Sequence, residues 1–344
     1  VLVVYSDRLA ASANSLSDVT MPFAKGSGSE SYNLVYGYFL KTCQKFNLKA
    51  AFTTSSDIIA PGKFISYWLF ENNTWIKVRK TGFSKLIFDK FSPTSKRGKI
   101  ARNLLFSDRK VRPFNSPYLF NLFFDKQKTY NKLHKFSVPT VTVEECNKKG
   151  IDKAYGELKG KMARHPHKND FSGEIVMKDR FGSGGINIYK FKAGQIDRML
   201  ETMEKHKKIS FIIQPFVEFD KGYVDQNSLV STDIRLIYFG KKIVQTYIRM
   251  AKPGDFRRNE HLGGTLKYIP KKEVPSKVVT VSNNIAKTLG DGSSLFALDF
   301  IISNNGNVYL LEANTGPGLD WNLSIKENEI ESKKIIRIIV KELV

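Results

Sequence analysis

The chain is poor in the residues that build disulfide frameworks and zinc sites. Among 344 residues it has two cysteines, Cys43 and Cys146, and five histidines. Two distant cysteines are too few for a disulfide framework or a zinc cluster, and we expect them to be small buried thiols. The histidines form no H-x-x-x-H pattern, and the nearest pair, His165 and His167, stands in a polar stretch. We therefore expect no transition-metal site.

Long hydrophobic runs are also missing. The first residues, VLVVYSDRLA, contain about four consecutive apolar positions before Ser6. A signal peptide needs an apolar run of roughly 7–15 residues, and a membrane span needs about 20. Hydrophobic residues nevertheless make up 41% of the chain, which is enough for a folded core. We expect a soluble, cytoplasmic protein without membrane association.

Acidic residues are scarce relative to basic ones. The chain has 55 Lys and Arg against 33 Asp and Glu, a net charge of +22. The excess is concentrated between Lys77 and Lys168, with 23 basic and 7 acidic residues. Such a field attracts anions, including nucleic acid, lipid headgroups, acidic peptides and nucleotides. It is equally compatible with a well-solvated surface, so the charge alone names no substrate.

The length predicts two or three packed units, and the chain opens with a β-α-β pattern. We predict a buried strand at 1–5, an amphipathic helix at 29–46 and a second strand at 49–54, followed by short strands near 64–70, 75–78 and 86–88. The helix carries an apolar stripe at Leu34, Val35, Tyr38, Phe39, Cys43 and Phe46. The polar, basic stretch 92–112 is predicted as loop.

The remainder has an α+β pattern that is mostly antiparallel. Strands are predicted at 137–143, 174–177, 186–191, 211–217, 296–302 and 308–313, with a further pair turning at Gly240 within 233–251, and helices at 144–165, 196–207, 274–289 and 329–343.

The segment FALDFIISNNGNVYLLEAN, at 296–314, predicts a metal-binding hairpin. Asn305-Gly306 between alternating apolar runs favours a two-residue type I′ turn, in which both residues have positive φ. Asp299 would then lie opposite Glu312, and Asn314 would share their face. Oxygen ligands of this kind suit Mg²⁺. The alternative is that both acids point to water beside lysines.

EIVMKDRFGSGGINIYKF, at 174–191, reads as strand, glycine loop and strand. Gly182, Gly184 and Gly185 let the backbone approach a ligand and form an anion-binding nest, and Lys178 leaves the strand just before them. The spacing matches neither a P-loop nor a dinucleotide fingerprint, so the segment taken alone also suits an ordinary hairpin.

FIIQPFVEF, at 211–219, is an apolar strand that runs into polar residues. Its edge can offer adenine the Pro215 carbonyl and the Val217 N–H. An ordinary core strand is the alternative.

Taken in order, these segments resemble the ATP-grasp superfamily, in which ATP lies between two α+β subdomains. The likeness covers residues 131–319 and is nearest to the branch of ribosomal-protein glutamate ligases and glutathione-synthetase-like enzymes. It implies an α+β ATP-grasp fold preceded by a small α/β, Rossmann-like pre-ATP-grasp domain. The implied domains are 1–125, then 126–213 with the glycine loop, then 214–344 with the magnesium site.

The resemblance also implies site residues. Nucleotide contacts would come from Lys132 (in Asn131-Lys132-Leu133), Lys178, the loop residues Gly182, Ser183, Gly184, Gly185 and Ile186, the hinge Gln214, Pro215, Phe216 and Val217, and Asp220 or Glu218 at the ribose. Asp299, Glu312 and Asn314 would bind two Mg²⁺ ions, replaceable by Mn²⁺. Arg249 would face the phosphates, Arg257 and Asn259 the transferred phosphoryl and acyl groups, and Arg235 the second substrate.

Two departures from the family pattern stand out. Lys178 is followed by Asp179 where the family often has proline, and the spacer between Leu133 and Pro139 is short.

The resemblance predicts an ATP-dependent carboxylate–amine ligase that forms an acylphosphate and releases ADP and phosphate. Its substrates would be small-molecule or peptide carboxylates and amines, with an acidic peptide as one candidate, and a homo-oligomer is common in the family. Asp299→Asn or Glu312→Gln is expected to abolish turnover without disturbing the fold. One alternative is an ATP-grasp kinase acting on a small anionic alcohol. Another is an ATP-responsive module that binds nucleic acid or an acidic partner; nucleic acid is the less favoured partner.

Overall fold

The chain divides into two compact units. The computed structural model describes residues 1–225, 231–252, 264–290, 292–319 and 325–344. One unit comprises Val1–Pro117 together with Gly316–Val344, and the other is Tyr118–Thr315. The first unit is thus discontinuous, which differs from the expected domains 1–125 and 214–344. Among the helices of the described residues, none is long and apolar enough to cross a membrane.

The first unit is built on a six-stranded mixed sheet. Its strands are β1 (Leu2–Tyr5), β2 (Ala51–Thr54), β5 (Tyr67–Glu71), β6 (Thr74–Val78), β8 (Leu86–Lys90) and β9 (Arg112–Pro113), in the order β6-β5-β2-β1-β8-β9. β1 is buried along its length and pairs in parallel with β2 and β8, as the predicted α/β character requires. A smaller sheet joins β3 (Ile58–Ala60), β4 (Lys63–Phe64) and β7 (Gly82–Phe83).

Two helices of this unit pack on each other although they come from opposite ends of the sequence. α1 (Tyr32–Lys45) contacts α8 (Lys326–Leu343), and Arg337 Nε donates a hydrogen bond to the Tyr38 hydroxyl at 2.8 Å. The closing helix therefore belongs with the amino-terminal residues rather than with the C-terminal subdomain. Its buried face, which includes Ile335, Ile336, Ile339 and Val340, supplies the reason.

The buried face of α1 is rotated relative to the predicted stripe. Val35, Tyr36, Phe39, Leu40 and Cys43 are buried, whereas the predicted Leu34 and Phe46 are exposed. Burial raises the pKa of the Cys43 thiol to about 12. Cys146 is exposed, so the prediction of buried thiols holds for Cys43 alone.

The stretch predicted as loop contains a helix, α2 (Lys96–Leu105). Ser95 caps it by accepting a hydrogen bond from the Gly98 N–H at 3.0 Å. Only Leu105 of this helix is buried, so the periodic apolar stripe that would have predicted it is missing.

The second unit begins with two short helices and contains two antiparallel sheets. The helices are α3 (Pro117–Phe124) and α4 (Lys126–Leu133), and neither was predicted. The first sheet has the order β10-β13-β11-β12, with β10 (Val141–Val143), β11 (Phe171–Asp179), β12 (Ile188–Lys192) and β13 (Phe211–Val217). Helices α5 (Lys148–Ala163) and α6 (Ile196–Lys205) cover it, and Ile151, Leu158, Met199 and Met203 fill the core.

The second sheet of this unit has five strands in the order β16-β15-β14-β17-β18. They are β14 (Thr232–Phe239), β15 (Lys242–Met250), β16 (Thr265–Tyr268), β17 (Leu295–Ile302) and β18 (Val308–Asn314). Helix α7 (Ser276–Leu289), predicted at 274–289, packs on the sheet through Val278, Ile285 and Leu289. β17 is buried at every position, which fixes the hairpin deep in the unit. Single 3-10 turns cover Ser55–Asp57, His134–Phe136, Lys168–Asp170 and Lys271–Glu273.

Candidate active site

Asp299 lies opposite Glu312 in the β17–β18 hairpin, as predicted, but the turn and the register that bring them together differ from the prediction. Ile302 pairs with Val308, so the connecting loop covers 303–307 instead of two residues. Gly306 has a positive φ of 85° and Asn305 does not, so the predicted type I′ turn was wrong. A register shift between Asp299 and Phe300 then restores the Asp299–Glu312 pair.

Asp299 and Glu312 belong to a row of side chains that crosses four strands. Tyr247 of β15 lies opposite Arg235 of β14, Arg235 opposite Asp299, and Asp299 opposite Glu312. Directly opposed residues share a face of the sheet, so the row places a cation between an aromatic ring and two carboxylates. The Arg235 guanidinium lies 5.8 Å from the centre of the Tyr247 ring and donates a hydrogen bond to the Tyr247 hydroxyl at 3.2 Å.

Asp299 is held by two arginines. Arg235 donates from Nε and Nη2 to its two carboxylate oxygens at 2.5 and 2.6 Å, and Arg249 Nη2 donates at 2.8 Å. Arg249 also donates hydrogen bonds to Asp233, from Nε to Oδ1 at 2.9 Å and from Nη2 to Oδ2 at 2.7 Å. Two buried acids and two arginines thus balance in charge.

The electrostatics follow from this arrangement. Burial raises the pKa of the Asp299 carboxyl, but the charges of Arg235 and Arg249 outweigh burial and lower that pKa to about 2. Burial and the Arg235 charge lower the pKa of Arg249, yet Asp233 and Asp299 more than compensate, so the pKa of Arg249 is raised. Arg235, Arg249 and Asp299 are therefore charged at neutral pH.

A cavity lies between the two sheets of the second unit, with about 340 Å³ of empty volume that is open to solvent. Lys178 of β11 and Gln214 of β13 line one side, and the β18 residues around Glu312 line another. Gln214 lies opposite Val176, two residues from Lys178, so both side chains share one face. The remaining lining residues are Phe123, Lys126, Thr129, Tyr130, Ser137, Thr140, Leu310, Leu311 and Ala313. The lining combines cations with apolar surface, which is typical of ligand sites.

The lysine of α4 that reaches this cavity is Lys126, whereas the resemblance had pointed to Lys132. Lys126 Nζ lies 3.6 Å from Glu312 Oε1 and donates a hydrogen bond to the Gly182 carbonyl. Lys132 is exposed, and it is not among the cavity residues. A sequence signal existed: Asp125 precedes Lys126, and aspartate is a preferred residue at the start of a helix.

The glycine segment leaves the sheet as an exposed loop. Gly184 and Gly185 have positive φ values of 73° and 76°, as expected of a loop that turns its N–H groups outward. A Cβ on Gly182 would lie 2.7 Å from the Asp179 Cβ. Ser183 and Ile186 are exposed, Ile186 by 66%.

The proposed adenine hinge is part of β13. β10 pairs with this strand only as far as Ile213, so beyond that point β10 does not cover its edge. Gln214 Nε2 donates to Thr140 Oγ1 at 2.7 Å, which fixes the side chain at the cavity wall. Pro215 and Val217 are buried, and Phe216 is partly exposed.

The candidate ribose ligand Asp220 lies outside the cavity lining, where it accepts a hydrogen bond from Asn304 Nδ2 at 2.8 Å. Glu218 is exposed, and its carbonyl accepts a hydrogen bond from the Asn304 N–H at 2.9 Å. Arg257 and Asn259 lie outside the described residues, and their roles stay predictions.

The donor set fits a hard cation. Glu312 is partly exposed at the cavity, and Asn314 follows it by two residues on the same strand. The Asp299 Oδ1 atom accepts one hydrogen bond, which leaves a lone pair for a ligand bond. Two carboxylates and an amide are a partial set of the oxygen donors that Mg²⁺ uses with a nucleotide, and Glu312 is the one of the three that lines the cavity beside Lys126 and Lys178.

Part of the chain matches a known protein family. Residues 146–339 match the RimK-like ATP-grasp domain. A probable alpha-L-glutamate ligase of Coxiella burnetii is 35% identical over 156 residues, which are 45% of this chain and 47% of the relative. A protein of the same name from Vibrio parahaemolyticus is 30% identical over 166 residues, 46% of this chain and 50% of the relative. The chain thus spans about half the length of the curated relatives it matches.

Solved structures extend the likeness to the whole fold. D-alanyl-alanine synthetase A from Vibrio cholerae gives a TM-score of 0.61 at 14% identity, covering 99% of this chain and 97% of that one. A RimK domain ATP-grasp protein from Sphaerobacter thermophilus gives 0.57 at 12% identity, covering 98% of both chains. These structures confirm the predicted α+β ATP-grasp fold. With more than half of its residues matching the domain, the chain belongs to the RimK-like ATP-grasp family.

Proposed function

We propose that the protein is an ATP-dependent carboxylate–amine ligase that forms an acylphosphate and releases ADP and phosphate. The observation that carries the proposal is the convergence of Lys126, Lys178 and Glu312 on one cavity, with Asp299 directly opposite Glu312. A site for nucleotide phosphates needs cations on one side and metal-binding oxygens on the other. Both are present within one compact unit.

Charge placement explains the chemistry. A carboxylate that attacks a phosphoryl group is an anion approaching an anion, so the site must neutralise the phosphates. Lys126 and Lys178 supply two positive charges from different secondary-structure elements, α4 and β11. Bound Mg²⁺ would supply Lewis-acid charge neutralisation at Asp299, Glu312 and Asn314.

Arg235 and Arg249 set the state of the acidic ligand. They are buried and stay charged, and they keep Asp299 ionised, as a metal ligand must be. Arg235 also projects from the middle of the sheet beside Tyr247, which suits the predicted role beside the second substrate.

The glycine loop is suited to exclude water. An acylphosphate hydrolyses readily, so an enzyme that forms one must shield it. Ser183, Gly184 and Ile186 are exposed, and Gly184 and Gly185 have positive φ values that other residues rarely adopt. Glycines of this kind let the backbone approach a ligand closely, so the loop can fold over bound phosphates. On transfer, an amine attacks the acyl carbon, the amide bond forms and phosphate leaves.

The substrates are proposed from the relatives and from charge. Because the curated relatives are named probable alpha-L-glutamate ligases, glutamate is the first amine to test. The cation-rich segment 77–168 favours an acidic acceptor, such as a peptide with a glutamate-rich end.

The test is a screen for ADP and phosphate release. Purified protein would be incubated with ATP, Mg²⁺, glutamate and a panel of carboxylates that includes acidic peptides. Mass spectrometry of each positive reaction then identifies the product. We expect ADP and phosphate in equal amounts, together with a product whose mass equals acceptor plus amine minus water.

Other outcomes would overturn the proposal in distinct ways. ADP without free phosphate, accompanied by a phosphorylated product, would identify the kinase alternative. ATP binding without turnover across the panel, combined with steeply salt-dependent binding of RNA or an acidic polymer, would favour the binding-module alternative.

A further inference from the structure

We propose that Asp125 and Arg180 are positioning residues for nucleotide binding. Their ion pair joins the start of α4, which carries Lys126, to the stem of the glycine loop, residues 180–182. Closure of the loop over the nucleotide is then confined to residues 183–187. The proposal rests on the proposed function, because it concerns how the same nucleotide site is held.

The Asp125–Arg180 ion pair, named the clasp, is bidentate. Arg180 Nε donates to Asp125 Oδ1 and Arg180 Nη2 donates to Asp125 Oδ2, both at 2.7 Å. The Asp125 side chain is 5% exposed and the Arg180 side chain 21%. Burial raises the pKa of Asp125, but the hydrogen bonds and charge of Arg180, together with the hydrogen bonds from the Lys128 and Gln127 N–H groups, outweigh burial and lower that pKa below its usual value. A bidentate arginine–carboxylate pair fixes orientation as well as distance.

Three further contacts surround the clasp. The Lys126 N–H donates to the Arg180 carbonyl at 3.2 Å, and the Phe124 and Phe181 rings lie 5.4 Å apart. The Arg180 N–H donates to the Ser210 carbonyl at 2.8 Å, just before β13. The base of the loop is therefore tied both to α4 and to the neighbouring strand.

Asp125 also caps the amino-terminal end of helix α4. Its Oδ1 accepts hydrogen bonds from the Gln127 N–H at 3.0 Å and the Lys128 N–H at 3.3 Å, which caps α4. The residue that caps the helix thus also holds the loop. Lys126, the first residue after this cap, contacts Gly182 on the loop and Glu312 on β18.

The functional consequence concerns Lys126. Its side chain is long and flexible, so ordering it costs conformational entropy. If the side chain is not ordered before the nucleotide binds, that cost reduces the free energy of binding. With the clasp closed, the Lys126 backbone and the Gly182 carbonyl keep a fixed separation. Without it, the lysine and the loop stem would have to be ordered by the nucleotide itself, which weakens binding more than it slows chemistry.

Three substitutions break the clasp while they keep most of each side chain. Asp125→Asn preserves a side chain that caps helices well while it removes the charge that grips Arg180. Arg180→Met removes the guanidinium but keeps most of the stem, and Arg180→Lys keeps the charge without the two-pronged geometry.

The experiment compares these three variants with the wild type and with Arg198→Met, an exposed arginine of α6 that serves as the matched control. Calorimetry would give the Kd of the ATP analogue AMP-PNP in the presence of Mg²⁺, and steady-state kinetics would give KM for ATP and kcat separately. Hydrogen exchange of residues 126–129 and 180–182 would be followed in protein without nucleotide.

We expect Arg180→Met and Asp125→Asn each to raise the Kd of AMP-PNP and the KM for ATP by about 30-fold, since charge-assisted hydrogen bonds contribute roughly ten- to a hundredfold. The kcat should change by less than about threefold, because the bound nucleotide orders Lys126 and the loop before the chemical step begins. Arg180→Lys should recover part of the loss, and a double variant that combines Asp125→Asn with Arg180→Met should be no worse than either single one. Residues 126–129 and 180–182 should exchange faster in Asp125→Asn and Arg180→Met.

The outcomes separate this proposal from the proposed function. If the wild type fails to bind AMP-PNP, the proposed function is overturned and the positioning role with it. If the wild type binds but Arg180→Met and Asp125→Asn bind as tightly as Arg198→Met, the positioning role alone is overturned. Should Arg180→Met fail to fold, Asp125→Asn and Arg180→Lys decide the question.

Discussion

Arg235 holds Asp299 through two hydrogen bonds, of 2.5 and 2.6 Å, across the neighbouring strands β14 and β17. A carboxylate expected to bind a metal is thus already neutralised by a buried arginine. Glu312, by contrast, is partly exposed at the cavity, and Lys126 Nζ lies 3.6 Å from its Oε1 atom. The two acids of the predicted metal site therefore differ in their contribution to stability.

Replacing the two acids should separate catalysis from stability. Glu312→Gln should reduce turnover by about 100-fold or more, because it removes a metal ligand. Its free energy of unfolding should change by less than about 0.5 kcal/mol, since the side chain is partly exposed. Asp299→Asn should also stop turnover, and should cost about 3–5 kcal/mol because it leaves the buried Arg235 without its carboxylate partner, although Arg249 keeps Asp233.

Turnover assays and urea unfolding of both variants measure these effects. The structure thus modifies the expectation that both substitutions leave the fold undisturbed. Equal stability of the two variants would contradict the assigned role of the Arg235–Asp299 pair.

The same carboxylate predicts a stability change in acid. Because the folded state lowers the pKa of Asp299 to about 2 from the usual 3.8, its contribution is fully present above pH 3.8 and is lost as the pH falls towards 2. Between those limits the wild type should lose on the order of 2 kcal/mol more unfolding free energy than Asp299→Asn. Urea unfolding at several pH values from 2 to 5 gives both curves; parallel curves would refute the assignment.

Two lysines of α4 offer a matched comparison. Lys126→Met should raise the KM for ATP by about 10- to 100-fold, because a charge-assisted contact to phosphate is lost. Lys132→Met should leave KM within about twofold, since Lys132 is exposed and outside the cavity lining. Steady-state kinetics at varied ATP decides between them. The reverse ranking would restore Lys132 as the nucleotide ligand.

The base of the glycine loop should not tolerate a methyl group. In Gly182→Ala the new Cβ would lie 2.7 Å from the Asp179 Cβ, and Asp179 accepts a hydrogen bond from the Phe181 N–H at 2.8 Å. Relieving the clash should displace the loop at a cost of about 1–3 kcal/mol and lower the affinity for ATP.

Gly173→Ala is the control for this substitution, because a Cβ at Gly173, in the same β11 strand, would meet no atom within 4 Å. Nucleotide titrations and thermal unfolding of both variants measure the difference. Indistinguishable affinities would show that the loop does not depend on a glycine at position 182.

Sequence patterns located most of the second unit because those patterns are local. Strands β13, β17 and β18 and helix α7 follow from the alternation or the helical spacing of their apolar residues. Helix α2 escaped because one buried residue produces no periodicity. The Asp299–Glu312 pair was predicted correctly from an incorrect turn, since the longer loop and the register shift compensate each other.

The sequence by itself determined most of the strands and the longer helices, the acidic hairpin, the glycine loop and the family, but it missed α2, α3 and α4. The tertiary structure decided which charged groups meet. Lys132 lies six residues after Lys126, which turns its side chain about 240° around the helix axis and away from the cavity. Asp233, Arg249 and Asp299 come together only because β14 pairs with both β15 and β17. Pairing between distant strands depends on the packing of whole sheets, and no local spacing encodes it.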